Sequence, residues 1–275
     1  MSSLRQPLET DWRRARDAEI RHAPWVVCGI MNMQRQTRVR FPDPLRILQG
    51  AAYVGFAIAV AWLFVEVAAG ARTFGLFWIL PLAALAGWAV ADFVSGAVHF
   101  LADNFGSPET PLIGPAFVKP FRDHHTDPTG ILANSFLVAN GGNCVVVLPP
   151  MVLVLTFVPV ASTPGGYVFG AFFLVFSLAI FLTNQFHKWA HMESPPRAVA
   201  WLQAHGVILS REHHDIHHRS PFDTHYCITA GWWNPLLERT GAFAWIVRKV
   251  RGDYSDASSA TAGPSPVGGT ARSQH

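Results

Sequence analysis

This sequence predicts an all-α integral membrane protein, a bundle of four transmembrane helices with a histidine-rich cap and interfacial helices on its cytoplasmic side. Three observations predict it. Half of the 275 residues are hydrophobic and only 14% are charged, where a soluble domain carries about 25%. The apolar residues gather in four long blocks, each enough to cross a hydrocarbon core of about 30 Å at about 1.5 Å per residue. The basic residues are segregated. Of 21 Lys and Arg, all but Arg72 fall before the first block, in the long loop between the second and third, or after the fourth. By the positive-inside rule both termini and that loop face the cytoplasm, at the inner membrane of a bacterium or the endoplasmic reticulum of a eukaryote.

Residues 1–46 form a basic cytoplasmic segment with nine arginines. No apolar core for a cleaved leader precedes Pro44. Residues 24–33 are a short apolar patch suited to a membrane surface. A nucleic-acid-binding arm is the competing reading. It ranks lower, because these charges abut a hydrophobic block, where basic residues face anionic lipid. The membrane domain is expected over 47–250. Residues 47–70 are the first span, with Glu66 near its end. Residues 74–102 are the second, with Pro81 placed to kink it early. Residues 104–143 are a polar connection rich in Gly and Pro. Residues 144–161, with Pro149 and Pro150 near their start, are the third span, and 167–186 the fourth. Residues 195–209 are too short to cross. Residues 228–250 are Trp-rich and end in basic residues, but Asn234, Pro235, Glu238 and Arg239 interrupt them. Both read as interfacial helices. Residues 251–275, of Ser, Ala, Gly and Pro, read as a disordered tail. Cys28, Cys144 and Cys227 are far apart with no CxxC, so neither a disulfide framework nor a thiolate metal site is expected.

The histidines carry the chemistry. Four fall within residues 213–218, and His214, His217 and His218 at i, i+3 and i+4 leave one face of a helix. His187 and His191 form an HxxxH pair, the helical spacing that chelates one ion. His124 and His125 are adjacent and point in different directions, so they serve two ions better than one. Asp92, His99 and Asp103 lie on roughly one face at the end of the second span. Ionisable groups at membrane depth usually face a bundle interior and are functional candidates. A buried polar cluster that only locks helix packing is the alternative there, as an idle His-rich surface tract is for 213–218. The topology decides between them: four separate segments deliver imidazoles to one layer at the cytoplasmic face, which scattered core histidines would not do.

His22 and His275 sit near the ends, and His205, His213 and His225 read as supporting or incidental. The eight others, His99, His124, His125, His187, His191, His214, His217 and His218, could supply four ligands to each of two ions, too many for a single catalytic zinc. A soluble di-iron carboxylate bundle needs paired Glu-x-x-His motifs. The chain holds one, Glu19 to His22, in the basic arm. Asp92, Asp103 and Asp127 suit an outer role, accepting the ring N–H opposite the metal. A histidine-rich dinuclear site beside lipid chains points to two non-haem iron ions, since iron changes oxidation state and zinc does not. O2 would be the co-substrate, for abstraction of hydrogen from an unactivated C–H. Loss of a second hydrogen gives a double bond, and oxygen transfer gives a hydroxyl group. No cytochrome or flavin motif is present, so electrons come from an external donor, cytochrome b5-like or ferredoxin-like. A membrane metal-binding or transport protein is the reading outside enzymes. Its ligands would be expected near mid-membrane rather than at one face.

The motifs resemble those of the plasmanylethanolamine desaturase (Kua/CarF-type) lipid desaturase family, which includes the plastid phosphatidylglycerol desaturase. The matching stretches are 92–99 with 103–107, 120–129, 183–191, 213–221 and 226–232, in that order. The likeness runs from about residue 50 to about residue 245. It implies the same eight histidines as the core of the metal site. It also implies an intact glycerophospholipid as substrate and, in the plasmanylethanolamine branch, a vinyl ether product formed at the first two carbons of the alkyl ether chain. That is plasmalogen synthesis; a desaturase or hydroxylase of another phospholipid or acyl chain is the alternative. One segment departs from that branch, which carries a His, two Asp and a Glu over the positions of 132–143. Here Asn134, Ser135, Val138 and Gly142 leave no acidic group to hold an ethanolamine headgroup by charge. The plastid branch also lacks that His.

Overall fold

The computed structural model describes residues 43–111 and 113–251. From Leu48 onward they form one compact unit. Among the described residues every regular element is helical and there is no strand. Four helices dominate: α1 (Asp43–Phe74), α2 (Leu80–Asn104), α4 (Phe136–Phe157) and α5 (Pro164–Ala190). Each is long and apolar enough to cross a membrane, α2 together with the short 3-10 turn Phe77–Ile79 before it. The chain is a multi-pass membrane protein. Lipid as solvent explains why large apolar side chains such as Ile58, Trp62, Phe64 and Phe157 stay exposed on these helices. Inside the bundle, Leu63, Met151 and Tyr167 are fully buried in a core shared by α1, α4 and α5.

α2 and α5 make the most extensive helix pair. Gly87 permits it, since a Cβ there would stand 2.4 Å from the Phe172 carbonyl oxygen. Both helices end at the same face; the last turn of α5 carries His187 and the turn before the last of α2 carries His99.

The spans differ from expectation at their ends. Pro81 lies in the first turn of α2, where no N–H is needed, so it starts the helix rather than kinking it. The third span begins at Phe136, eight residues earlier than hydropathy places it. Ser135 caps it, its hydroxyl accepting from Val138 N–H (3.3 Å). Asn140 and Asn143 hide this start from a hydropathy reading. Their amide N–H groups find carbonyls inside the bundle: Asn140 Nδ2 donates to the Phe136 carbonyl (2.9 Å) and Asn143 Nδ2 to that of Ile180 (2.8 Å). Pro149 and Pro150 therefore fall well inside α4.

The connection from α2 to α4 is structured. A π-helical turn (Gly114–Val118) leads into α3 (Lys119–Thr126), followed by the 3-10 helix Pro128–Ala133. After α5 come α6 (Arg197–Ala204), α7 (Arg211–His217), α8 (Asn234–Thr240) and α9 (Ala242–Arg251). The single interfacial helix expected over 228–250 is divided: residues 226–233 are not helical, and Gly241, in the left-handed region (φ 61°), separates α8 from α9. The basic arm before Asp43 and the tail beyond Arg251 lie outside the described residues, as do His22, His275 and the patch at 24–33.

Candidate metal centre

Two groups of ligand atoms adjoin where α2 and α5 end. One holds His124, His187, His191, His214 and His218, the other His99, Asp103, His125 and His217, each with its ligand atoms within 4.8 Å of one another. The local sequence explains the sorting. His187 with His191, His214 with His218, and His99 with Asp103 are i, i+4 pairs on three helices, and each pair serves one group. His124 and His125 are divided between the groups, as adjacent residues on α3 point apart. His217 turns away from its neighbours on α7 and joins the second group. The partition is five imidazoles against three imidazoles and a carboxylate, not four against four. The groups are in contact, with the His217 and His218 ring centroids 5.5 Å apart.

In the first group the Nε2 of His191 stands 2.9 Å from those of His124 and His214 and 3.2 Å from that of His187. Those of His214 and His218 are 3.1 Å apart. A single ring N–H cannot serve three such neighbours, so hydrogen bonding does not account for the arrangement. In the second group the Nε2 atoms of His125 and His217 are 2.9 Å apart. Asp103 Oδ2 lies 3.2, 3.5 and 3.7 Å from Nε2 of His99, His125 and His217. Ligands about 2.1 Å from a common ion stand about 3.0 Å apart on an octahedral edge and about 3.4 Å apart on a tetrahedral one. Most of these separations lie near such edges, that of Asp103 Oδ2 and His217 being the longest at 3.7 Å. His99 Nε2 and both Asp103 oxygens are buried without a hydrogen-bond partner, a costly state that a bound cation relieves. The residues present therefore fit a metal ion in each group.

The three aspartates expected to orient ligand rings do none of that. Asp103 stands among the ring nitrogens as a candidate ligand. The signal was its i, i+4 spacing from His99. Asp92, fully buried, accepts from the backbone N–H groups of Ala230 (2.8 Å), Gly231 (2.9 Å) and Trp233 (3.3 Å) and touches no ring. Asp127 caps the 3-10 helix after α3, accepting from Gly130 N–H and Thr129 Oγ1 (both 3.1 Å). Carbonyls take the orienting role instead. The Nδ1–H of His99 donates to Tyr226 O (3.1 Å) and that of His217 to Thr224 O (2.7 Å). Each bond leaves the Nε2 lone pair facing the second group. Nothing in the sequence marks a carbonyl for this. Two aromatic rings close the same group: Phe121 against His99 (5.0 Å) and Phe222 stacked on His125 (4.7 Å). His213 accepts from Asn234 Nδ2 (2.9 Å), and His205 Nδ1–H donates to Trp201 O (2.8 Å).

The family of the Lipid desaturase domain matches residues 88–255, from within α2 past the end of α9, and so covers every candidate metal ligand. The chain belongs to this lipid desaturase family. It is similar to the plasmanylethanolamine desaturase of Myxococcus xanthus, at 40% identity over 78% of this chain and 79% of that protein. It is 42% identical to plasmanylethanolamine desaturase 1 of Mus musculus over 63% of this chain and 66% of that one. It is 36% identical to the chloroplastic fatty acid desaturase 4 of Arabidopsis thaliana over 59% of this chain and 49% of that one. No solved structure matches it.

The electrostatics of this lipid desaturase suit cation binding. Burial, reinforced by the neighbouring imidazoles, lowers the pKa of His124 and His217 to about 2, of His191 to about 3 and of His218 to about 4. Burial also holds His214 well below the usual histidine range. Their rings are neutral near pH 7 and present lone pairs, the form that ligates metal.

Proposed function

We propose that this lipid desaturase is a di-iron enzyme that uses O2 to desaturate a phospholipid chain, with plasmanylethanolamine as first substrate and a vinyl ether as product. The carrying observation is the pair of adjoining ligand groups at the ends of two membrane-spanning helices. The names of the Myxococcus and mouse relatives supply the substrate. The ligands would be the eight histidines with Asp103. In this proposal Asp92 and Asp127 act on the backbone around the site. Bound iron would supply O2 activation and the oxidation of an unactivated C–H bond. Overall, a CH2–CH2 unit loses two hydrogens and one O2 becomes two waters. The balance takes two electrons from an external donor, cytochrome b5-like or ferredoxin-like, and two protons.

The chain's own residues do the rest. Tyr226 and Thr224 carbonyls hold the protons of His99 and His217 on Nδ1. Phe121 and Phe222 cover the second group with apolar surface, keeping bulk water from the reacting carbon and leaving its face suited to a lipid chain. The distribution of Lys and Arg supports a site and termini on the cytoplasmic side.

Lipidomics of cells expressing this chain tests the reading. A phospholipid two hydrogens lighter is expected, absent in a His217→Ala control, with ether-lipid loading showing whether plasmanylethanolamine is consumed. A product heavier by one oxygen would make the protein a hydroxylase. No new lipid would remove the desaturase reading.

A further inference from the structure

Asp92 is fully buried at membrane depth yet reaches no ligand, and a carboxyl group in such a place needs a reason. Its partners supply one. Along one face of α2, residues 92, 95 and 99 meet residues 226–233 in reverse order. Asp92 takes the N–H groups of Ala230, Gly231 and Trp233. One turn on, Ser95 Oγ accepts from Ile228 N–H (3.1 Å) while donating to the Asp92 carbonyl (2.7 Å). Another turn on, His99 Nδ1–H donates to the Tyr226 carbonyl. Asn104 Nδ2 then donates to the Tyr226 hydroxyl (3.0 Å).

This non-helical strap, residues 224–233, lies directly on the helix. A Cβ on Gly96 would stand 2.3 Å from Cys227 Sγ. Its other side is held as well. Thr229 Oγ1 shares a hydrogen bond with Thr183 on α5 (2.7 Å), and Asn234 Oδ1 accepts from Cys227 N–H (2.8 Å). Between the two orienting carbonyls, His225 adopts a left-handed backbone (φ 56°). For a residue other than glycine this persists only where the surroundings enforce it. The two ligand rings that the strap fixes through Nδ1–H, those of His99 and His217, both belong to one ligand group, that of His99, Asp103, His125 and His217. His214 and His218 of the other group have buried Nδ1 atoms without partners.

We propose that Asp92 is a positioning residue for the metal ion of the Asp103-containing group, holding the strap whose carbonyls at Tyr226 and Thr224 fix the donor atoms of His99 and His217. The inference rests on the metal-binding reading above but not on iron or on the lipid. Asp92→Asn keeps the volume but turns an NH2 toward the Trp233 N–H, donor against donor. The strap loosens at residues 230–233, the anchor from which the backbone runs back to Tyr226, so the Tyr226 carbonyl is no longer held in place, and one ion loses its site while the five-histidine ion keeps its own.

The test titrates metal-free full-length protein in detergent with cobalt(II), read by visible absorption and by metal per chain after desalting. Wild type is expected to retain about two cobalt ions and Asp92→Asn about one, with half of the absorption bands lost. Ser95→Ala, a milder cut in the same strap, is expected to keep two ions but release one of them at least tenfold more readily to a chelator. A second readout follows proton exchange at the ring Nδ1 of His99 by NMR, slow in wild type and fast in Asp92→Asn. Retention of both ions in both variants, or loss of both alike, overturns the proposal and leaves Asp92 a purely structural residue. A wild type that takes up no cobalt removes the metal reading itself, and this inference with it.

Discussion

His124 and His125 are neighbours in the chain and ligand candidates for different ions, so a single side chain here decides which metal is addressed. Asp103→Asn removes the only carboxylate among the candidate ligands of the described residues. It is expected to weaken metal retention in its own group by about 10- to 100-fold or more while the five-histidine group stays loaded; metal per chain after graded chelation checks it. Acid acts on the imidazoles. The folded pKa values of His124, His191, His217 and His218 are lowered to between about 2 and about 4, below the unfolded value of about 6.5. The unfolded chain therefore binds more protons in that window. The stability these rings contribute is complete above about pH 6.5 and is lost as pH falls toward the folded values. The expected record is a thermal midpoint level near pH 7–8 and falling steadily below about pH 6.5, with metal released over the same range. A midpoint flat down to pH 4.5 would contradict it.

At the scale of elements, the site depends on how closely α2 approaches α5 and the strap. Gly87→Ala places a Cβ 2.4 Å from a backbone oxygen of α5, and a carbonyl inside a helix cannot rotate aside. The two helices must separate, at a cost of about 1–3 kcal/mol. A lower thermal midpoint in detergent is expected, together with weaker metal retention, because His99 and His187 ride on these helices. Gly231→Ala combines a left-handed position (φ 79°) with a Cβ 2.6 Å from His213 Nε2, so it should also destabilise, through the strap. The start of α4 teaches a complementary lesson. Asn143 and Asn184 read as polar loop or span end in the sequence, yet they bond across the α4–α5 contact, Asn184 Nδ2 to Ala139 O at 2.8 Å. An amide satisfied by a neighbouring helix is compatible with the bilayer; an unsatisfied one is not.

For the whole molecule, the pattern of charge and the placement of the ligands make one topology. Every candidate ligand lies at the face where α2 and α5 end, and Arg72 lies at the end of α1 on the opposite face. A C-terminal fusion is therefore expected to report from the cytoplasm, and a cysteine in place of Thr73 to be labelled from the other side by an impermeant reagent. Labelling of both from one side would reverse the proposed orientation. Metal removal should also register globally. In the proposed site, ions held by residues of four helices and absent from the unfolded chain would stabilise by mass action, so chelation is expected to lower the thermal midpoint and re-addition of metal to restore it.

The sequence by itself determined the membrane class, the four spans and the histidines able to reach one face, because hydropathy over a span and i, i+4 spacing are local properties of the chain. It also carried the i, i+4 spacing that ties Asp103 to His99. The tertiary structure alone decided the division of ligands into five imidazoles and three with a carboxylate, the turn of His217 away from His214 and His218, and the work of Asp92 on a strap some 140 positions distant in the chain (Trp233 at 141). Those outcomes depend on where backbone carbonyls and N–H groups point after distant segments pack, and every residue carries the same carbonyl. No pattern of side chains records its direction.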